Sequence, residues 1–292
     1  MATQKESVFR FAALGTEWYI TTDKRLSLMH ERQILALVYD FQSNYSRFES
    51  SSFVSKLNTE KVLENPPLEM VSMVRFAMQM YDLSDGLFNI SVGAKLEQSG
   101  YGKVSDVSAR ISTNLDTEID ISPTLIRIAP HIRLDFGGFG KGWLVDKIHD
   151  YLKRHNYRKH IVNGGGDIRV GDVKESIYVE NPTVAGEVVG QVMLNDEAFA
   201  ASSPLKRQWR TKNGGVKSHI IHPGSQANHA SMPLQICTKA KTCAKADVAA
   251  TVLLLLTEQE RLVYADRMDT TFMELLPDSV ALHAATYGLQ PV

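Results

Sequence analysis

Asp247 and Thr251, in the segment ADVAAT, stand four residues apart, which places both side chains on one face of a helix. A carboxylate and a hydroxyl are hard oxygen donors, the kind Mg2+ accepts beside substrate phosphates. The same spacing arises wherever an aspartate and a threonine share a first helical turn, so the pair alone leaves a metal site and a helix start both open. A second segment, LDFGGFGKGWLVD from Leu134 to Asp146, gathers Gly137, Gly138, Gly140 and Gly142 around Lys141. Glycine admits positive φ and close backbone approach, a helix start offers free amides to an anion, and a lysine adds a point charge suited to phosphate. A tight turn whose glycines serve packing alone accounts for the same residues. Two phosphate loops are excluded. A Walker A loop needs Ser or Thr after its Gly-Lys and a glycine where Asp135 stands, and here Gly142 follows the lysine. The dinucleotide fingerprint begun at Gly138 needs a small residue at the position of Trp143.

The segment SHIIHP holds His219 and His222 on either side of Ile220 and Ile221. On a strand, His219 and Ile221 would share one face, and His219 could serve as general base for a hydroxyl nucleophile. With His229 the two histidines could also suggest zinc, but no carboxylate-supported motif accompanies them. Ser203 and Lys206 fit the S-x-x-K pattern of serine acyl-enzymes, without a following K-T-G. Cys237 and Cys243 fit no zinc spacing and read as buried thiols.

The elements that must position these groups follow from periodicity. Residues 7–22 read as a strand or hairpin, Asp23 to about Ser46 as a helix capped by Asp23, and Leu68–Tyr81 as a second helix ending in the turn Ser84-Asp85-Gly86. Residues 99–116 read as a loop, Arg127–Asp135 as strands, Gly137–Gly142 as a turn, and Trp143 to about His155 as a helix. Lys159–Val162 reads as a short buried strand and 176–181, 188–194 and 217–222 as further strands, before a helix from about Lys245 and a final helix, strand and tail. No repeat and no Pro/Gly/Ser linker divides the chain, so an α+β fold in one unit over 1–292 is expected.

Composition excludes several classes. A net charge of −1 over 292 residues gives no bulk attraction to nucleic acid or to an anionic membrane. An anionic ligand would need local cations, a metal or backbone amides. Residues 1–20 lack the apolar core of a signal peptide, and Val248–Leu256 is too short to span a bilayer, so a cytoplasmic protein is expected.

In this order, the segments resemble those of the ApbE-type FAD:protein FMN transferases. Leu14-Gly15-Thr16 is similar to the family's Met-Gly-Thr, and SRFESSSFVSKLN to its Ser-x-Tyr…Ser…Leu-Asn segment. SDGLFNISVG, the glycine–lysine loop, NGGGDIRVG, HIIHP and ADVAAT each have a counterpart in sequence order. The resemblance implies a T-fold-related unit of mixed sheets and helices, which two lobes could form with the flavin site between them. It implies metal ligation by Asp247, Thr251 and the Gly138 carbonyl, with Mg2+, Mn2+ or Ca2+ as the cation. It implies contacts to flavin and pyrophosphate from Leu14, Phe48, Leu87, Phe88, Asn89, Asp135, Lys141, Ile220 and Ile221, with Lys141 and His219 taking catalytic parts. The expected reaction moves the FMN half of FAD to a Thr or Ser hydroxyl of an acceptor protein and releases AMP. FAD hydrolysis and flavin binding without catalysis are the alternatives.

Several positions depart from the family pattern. Its aspartate before proline is His222, and the three residues after that proline are Gly224, Ser225 and Gln226. Its Ala-Thr-Ser-Gly-x-Tyr is AASSPL here, its stacking tyrosine is Phe48, and the aspartate after its phenylalanine is Asn89. The metal pair and Lys141 are retained.

Overall fold

Leu14 and Gly15, with φ of 53° and 71°, fold residues 7–22 into a hairpin. The computed structural model describes residues 6–102, 108–206, 208–210, 216–224, 232–277, 279–283 and 289–291. The chain forms two compact units, one of residues 1–40, 139–203 and 231–292, the other of 41–138 and 204–230.

The first unit begins with β1 (Ser7–Ala13), β2 (Thr16–Thr22) and helix α1 (Leu28–Tyr45), within which the chain crosses to the second unit. Asp23 does not cap α1: its amide donates to the Lys159 carbonyl at 3.3 Å, which prolongs a strand ladder. In the second unit follow α2 (Phe53–Glu60), β3 (Val62–Glu64), α3 (Leu68–Leu83), α4 (Gly93–Gln98), α5 (Leu115–Glu118), β4 (Ile119–Ile121) and β5 (Leu125–Ile128). Beyond β5 only an isolated bridge, Val92 to Arg133, continues the extended chain, so the strands expected to Asp135 stop at Ile128.

The chain re-enters the first unit with α6 (Gly140–Arg154), β6 (His160–Gly164), β7 (Asp167–Val170), β8 (Lys174–Glu180), β9 (Val188–Asn195) and β10 (Ala198–Ser202). It returns to the second for β11 (Gln208–Arg210) and β12 (Val216–Ser218). The first unit closes with β13 (Gln235–Ala240), α7 (Cys243–Leu255), α8 (Glu258–Arg267), β14 (Thr271–Leu276), β15 (Ser279–His283) and β16 (Leu289–Pro291).

An eight-stranded sheet in the order β1-β2-β6-β7-β10-β13-β14-β15 is the frame of the first unit, and its pairs are antiparallel. Trp18 on β2 is fully buried and faces Gly164 of β6, where a Cβ would meet the indole at 2.7 Å. α6 turns Leu144, Val145, Ile148 and Leu152 inward, and α7 is largely apolar with most of its residues buried, the pattern of a helix inside a core. β10 and β13, against which α7 packs, are almost wholly buried and so lack the alternation that marks a half-exposed strand. A second sheet, β16-β9-β8, completes this unit. The second unit holds the sheet β3-β5-β4 and the hairpin β11-β12. Among the described residues no helix is long and apolar enough to cross a membrane.

Candidate functional site

The glycine–lysine segment is less of a loop than its composition predicts. α6 begins at Gly140, so Lys141 and Gly142 lie in its first turn. Gly142 is a packing glycine: a Cβ there would lie 2.6 Å from the Cys243 carbonyl oxygen and 2.8 Å from Ala244 Cα. Its absent side chain lets α6 and α7 touch by their backbones. Phe139, at the cap position of α6, supplies no side-chain acceptor, so no cap side chain occupies the amides of the first turn. Such amides suit an anion, and Lys141 adds charge beside them. The Lys141 ammonium pairs with Asp167, whose side chain is only 4% exposed. Asp167 follows the β6–β7 turn, in which Gly165 and Gly166 take φ of 72° and 99° and the Asn163 side chain accepts the Gly166 amide at 2.9 Å. The NGGGD segment is thus a glycine turn that delivers one carboxylate to one lysine.

α7 carries the oxygen donors. Asp146, one turn after Gly142 on α6, accepts the amides of Cys243 and Ala244 at 2.8 and 2.9 Å and so caps α7 from the neighbouring helix. Burial pushes Asp146 up to about 6, against the pull of those two amides and of Arg169. β13 fixes α7 further along, where the Thr238 hydroxyl donates to the Ala246 carbonyl at 2.7 Å. Asp247 is then buried, and the Thr251 hydroxyl lies 3.1 Å from Ser202 Oγ on β10. Cys237 and Cys243 are free and buried, as their sequence context predicts. Burial, with the charges of Asp146, Asp167 and Asp247, holds the Cys243 thiol well above its ordinary pKa, and Lys141 opposes the shift. Asp247 and Thr251, further along the same helix, are hard oxygen donors. Among the described residues no three His, Cys, Asp or Glu side chains gather into a metal cluster. Asp247 and Thr251 are oxygen donors of the kind Mg2+ accepts alongside substrate oxygens.

In the second unit Asp135 is buried and salt-bridged to Arg47, and its other oxygen accepts the Gly137 amide at 2.6 Å. Asn58 clamps the Leu134 backbone from both sides, at 2.9 and 2.6 Å. Arg47 also donates to the Tyr101 carbonyl at 2.8 Å and lies 3.9 Å from Glu97. Its guanidinium sits 4.2 Å from the centroid of Phe48, an aromatic ring that is 58% exposed. Tyr101 meets Phe48 edge-on and stacks on Trp209 at 5.0 Å, while Trp209 donates its indole N–H to the Ser99 carbonyl at 2.7 Å. Phe88 is buried, and a Cβ at Gly138 would lie 3.2 Å from its ring. Asn89 is committed to the fold: its amide donates to the Ser112 carbonyl, and its oxygen accepts from the Ser91 amide and hydroxyl, at 2.9, 2.9 and 2.6 Å. A carboxylate could not make the first of these bonds.

Leu14 lies half-buried in the β1–β2 turn of the first unit, and Leu87 half-buried before Phe88 in the second. Strand β12 ends at Ser218, so His219, Ile220 and Ile221 follow it outside any strand, contrary to the strand expected over 217–222. The Ser218 hydroxyl accepts the Ile220 amide at 3.3 Å, a local turn that competes with continuation of the ladder. His219 is half-buried, and His222 Nδ1 accepts the Gly224 amide at 3.0 Å. His229, Ser225 and Gln226 lie outside the described residues. Ser203, 1% exposed, donates its hydroxyl to the Leu234 carbonyl at 2.6 Å, which leaves the S-x-x-K pattern without an open nucleophile. Lys141, Asp247 and Thr251 share the first unit, and Phe48, Phe88, Asp135, Gly138 and His219 the second. Asp146, Asp167, Ser202, Arg47, Tyr101 and Trp209 were not singled out by sequence reasoning. Asp146 left a signal, since it lies four residues after Gly142 and so on the same helical face, and Asp167 is the aspartate of the NGGGD segment.

A model of the ApbE family matches residues 14–273. The chain belongs to the ApbE family. It is 23% identical over 253 residues to the FAD:protein FMN transferase of Vibrio cholerae, covering 81% of this chain and 76% of that protein. With the FAD:protein FMN transferase of Chlamydia muridarum it shares 22% identity over 287 residues, 91% of this chain and 90% of that one. The ApbE protein of Thermotoga maritima has the same fold, with a TM-score of 0.83 at 19% identity over 97% of this chain and 98% of that chain. Mixed sheets and helices of the ApbE type, as the sequence predicts, are thus the fold of this chain.

Proposed function

We propose that this ApbE-family chain transfers the FMN half of FAD to a Ser or Thr hydroxyl of an acceptor protein, with Mg2+ as the cation and AMP as the second product. The observation that carries this reading is the α7 donor set, Asp247 and Thr251 on one face of a largely apolar helix. Hard oxygen donors fit Mg2+. Asp247 and Thr251 would hold a divalent cation there, and it would supply charge neutralisation at the pyrophosphate. The Gly138 carbonyl is the third proposed protein donor, on the family resemblance.

The chain's own residues divide the remaining work. Lys141 places positive charge at the start of α6, and Asp167 keeps its ammonium in position. Phe48 offers a flavin ring an exposed aromatic surface backed by Arg47 and Tyr101, and aromatic faces beside a guanidinium suit planar conjugated ligands. Leu14, Leu87, Phe88, Ile220 and Ile221 are the proposed apolar contacts. Asp135 acts through Arg47, and Asn89 through the backbone of Ser91 and Ser112. His219 takes the proton of the acceptor hydroxyl as its oxygen bonds to the FMN phosphorus. The phosphoanhydride bond breaks, and AMP leaves with that bond's bridging oxygen.

Incubation with FAD, Mg2+ and a Ser/Thr-containing acceptor peptide tests the reading. AMP release with an FMN-sized mass gain on the peptide is the expected result. AMP with free FMN would replace transfer by hydrolysis, and bound FAD without either product would leave flavin binding alone.

A further inference from the structure

Thr251 is not the last group in its chain of contacts. Its hydroxyl lies 3.1 Å from Ser202 Oγ, at the end of β10, and Ser202 is 9% exposed. The adjacent Ser203 hydroxyl is turned the other way, toward the Leu234 carbonyl, so the two serines hold different partners. A neutral threonine hydroxyl that ligates a cation must present a lone pair to it and send its proton elsewhere. In a helix interior the default acceptor is the carbonyl one turn earlier, which for Thr251 belongs to Asp247. Ser202 offers an acceptor on the neighbouring strand instead. α7 is already fixed by Asp146 at its start and by Thr238 at Ala246, so the distance between β10 and Thr251 is set by the packed frame.

We propose that Ser202 is a positioning residue for the cation site: it accepts the Thr251 proton and thereby holds the Thr251 oxygen lone pairs toward the metal. The proposal rests on the cation role given above to Asp247 and Thr251. Groups that orient a ligand in this way commonly change metal affinity about 10- to 100-fold when removed.

The experiment measures Mn2+ binding to the full-length protein with saturating FAD, read from the electron paramagnetic resonance signal of free Mn2+. The variants are Ser202→Ala, Ser202→Cys, Ser202→Thr, Thr251→Val, Asp247→Ala and the double variant Ser202→Ala/Thr251→Val. Ser202→Ala and the near-isosteric Ser202→Cys are expected to weaken Mn2+ binding about tenfold or more. Ser202→Thr keeps a hydroxyl and is expected to restore it, while the metal-free melting temperature changes little across the three. Because Ser202 acts through Thr251, the double variant should bind as weakly as Thr251→Val and no more weakly. Wild-type affinity in Ser202→Ala, or losses that add in the double variant, would overturn the proposal. Asp247→Ala separates the two levels. If it keeps Mn2+ binding, the cation site itself is wrong and the Ser202 role falls with it. If it loses binding while Ser202→Ala does not, only the Ser202 role is removed.

Discussion

Gly142→Ala tests whether the contact between α6 and α7 holds the donor helix in place. A methyl group on Gly142 would lie 2.6 Å from the Cys243 carbonyl oxygen, 2.7 Å from its carbon and 2.8 Å from Ala244 Cα. All three are backbone atoms, which no side-chain rotation can move. Relief to an ordinary separation of about 3.5 Å asks the two helices to part by roughly 1 Å. That movement falls on the Asp146 bonds to the Cys243 and Ala244 amides, now 2.8 and 2.9 Å, and carries them beyond hydrogen-bond range. Overpacking costs about 1–3 kcal/mol, and weakened bonds to a charged acceptor add about 1.5 kcal/mol. Replacing glycine by alanine within a helix returns about 1 kcal/mol. The net expectation is a loss of about 2 kcal/mol, a fall in melting temperature of roughly 4–8 °C. Differential scanning calorimetry of the metal-free protein measures it, and weaker Mn2+ binding should accompany the shift because Asp247 rides on α7. A variant as stable as the wild type, or more so, would show that helix propensity outweighs the contact and refute the reasoning.

Asn89→Asp, although it restores the family's residue, should destabilise the chain by about 2 kcal/mol, since it removes the bond to Ser112 and sets a carboxylate against that carbonyl; equal thermal stability would contradict this. Arg47→Ala should cost about 3 kcal/mol in urea unfolding because Asp135 and Glu97 would lose the cation buried beside them, and Arg47→Lys should recover only part of it. Burial, reinforced by Arg169, His160 and Lys153, lowers His149 to about 3. The unfolded chain takes a proton there below its ordinary 6.5 and the folded chain does not, so stability is lost as pH falls from about 6.5 toward 3, by at most about 1.4 kcal/mol per pH unit. His149→Gln should flatten that acid limb in melting curves, and an unchanged slope would show that His149 does not contribute to it.

Periodicity made the amphipathic elements legible: the 7–22 hairpin, α3 and most of α6 follow from which positions are apolar. It failed where burial is complete or local chemistry intervenes. β10 and β13 show no alternation because both faces are covered, and the strand through His219 stops at Ser218, whose hydroxyl accepts the Ile220 amide. Gly140 and Gly142 read as loop residues, yet both are helical, and Gly142 is small because a second helix presses on it. Two of the three proposed metal donors, Asp247 and Thr251, could be placed on one helical face from spacing alone. Their supports could not, since the Lys141–Asp167 and Ser202–Thr251 contacts join residues far apart in the chain and exist only once the sheet has formed. Asn89 shows the converse, a residue whose departure from the family pattern is explained by the bonds it makes.

In the proposed reaction α7 holds the cation that activates the FAD pyrophosphate. AMP release from FAD, followed against Mg2+ concentration for the wild type and Asp247→Ala with the acceptor peptide present, tests it most directly. Mg2+-dependent release with an FMN-sized mass gain on the peptide is expected in the wild type, and neither in a folded Asp247→Ala protein. Unchanged Mg2+-dependent release in that variant would contradict it.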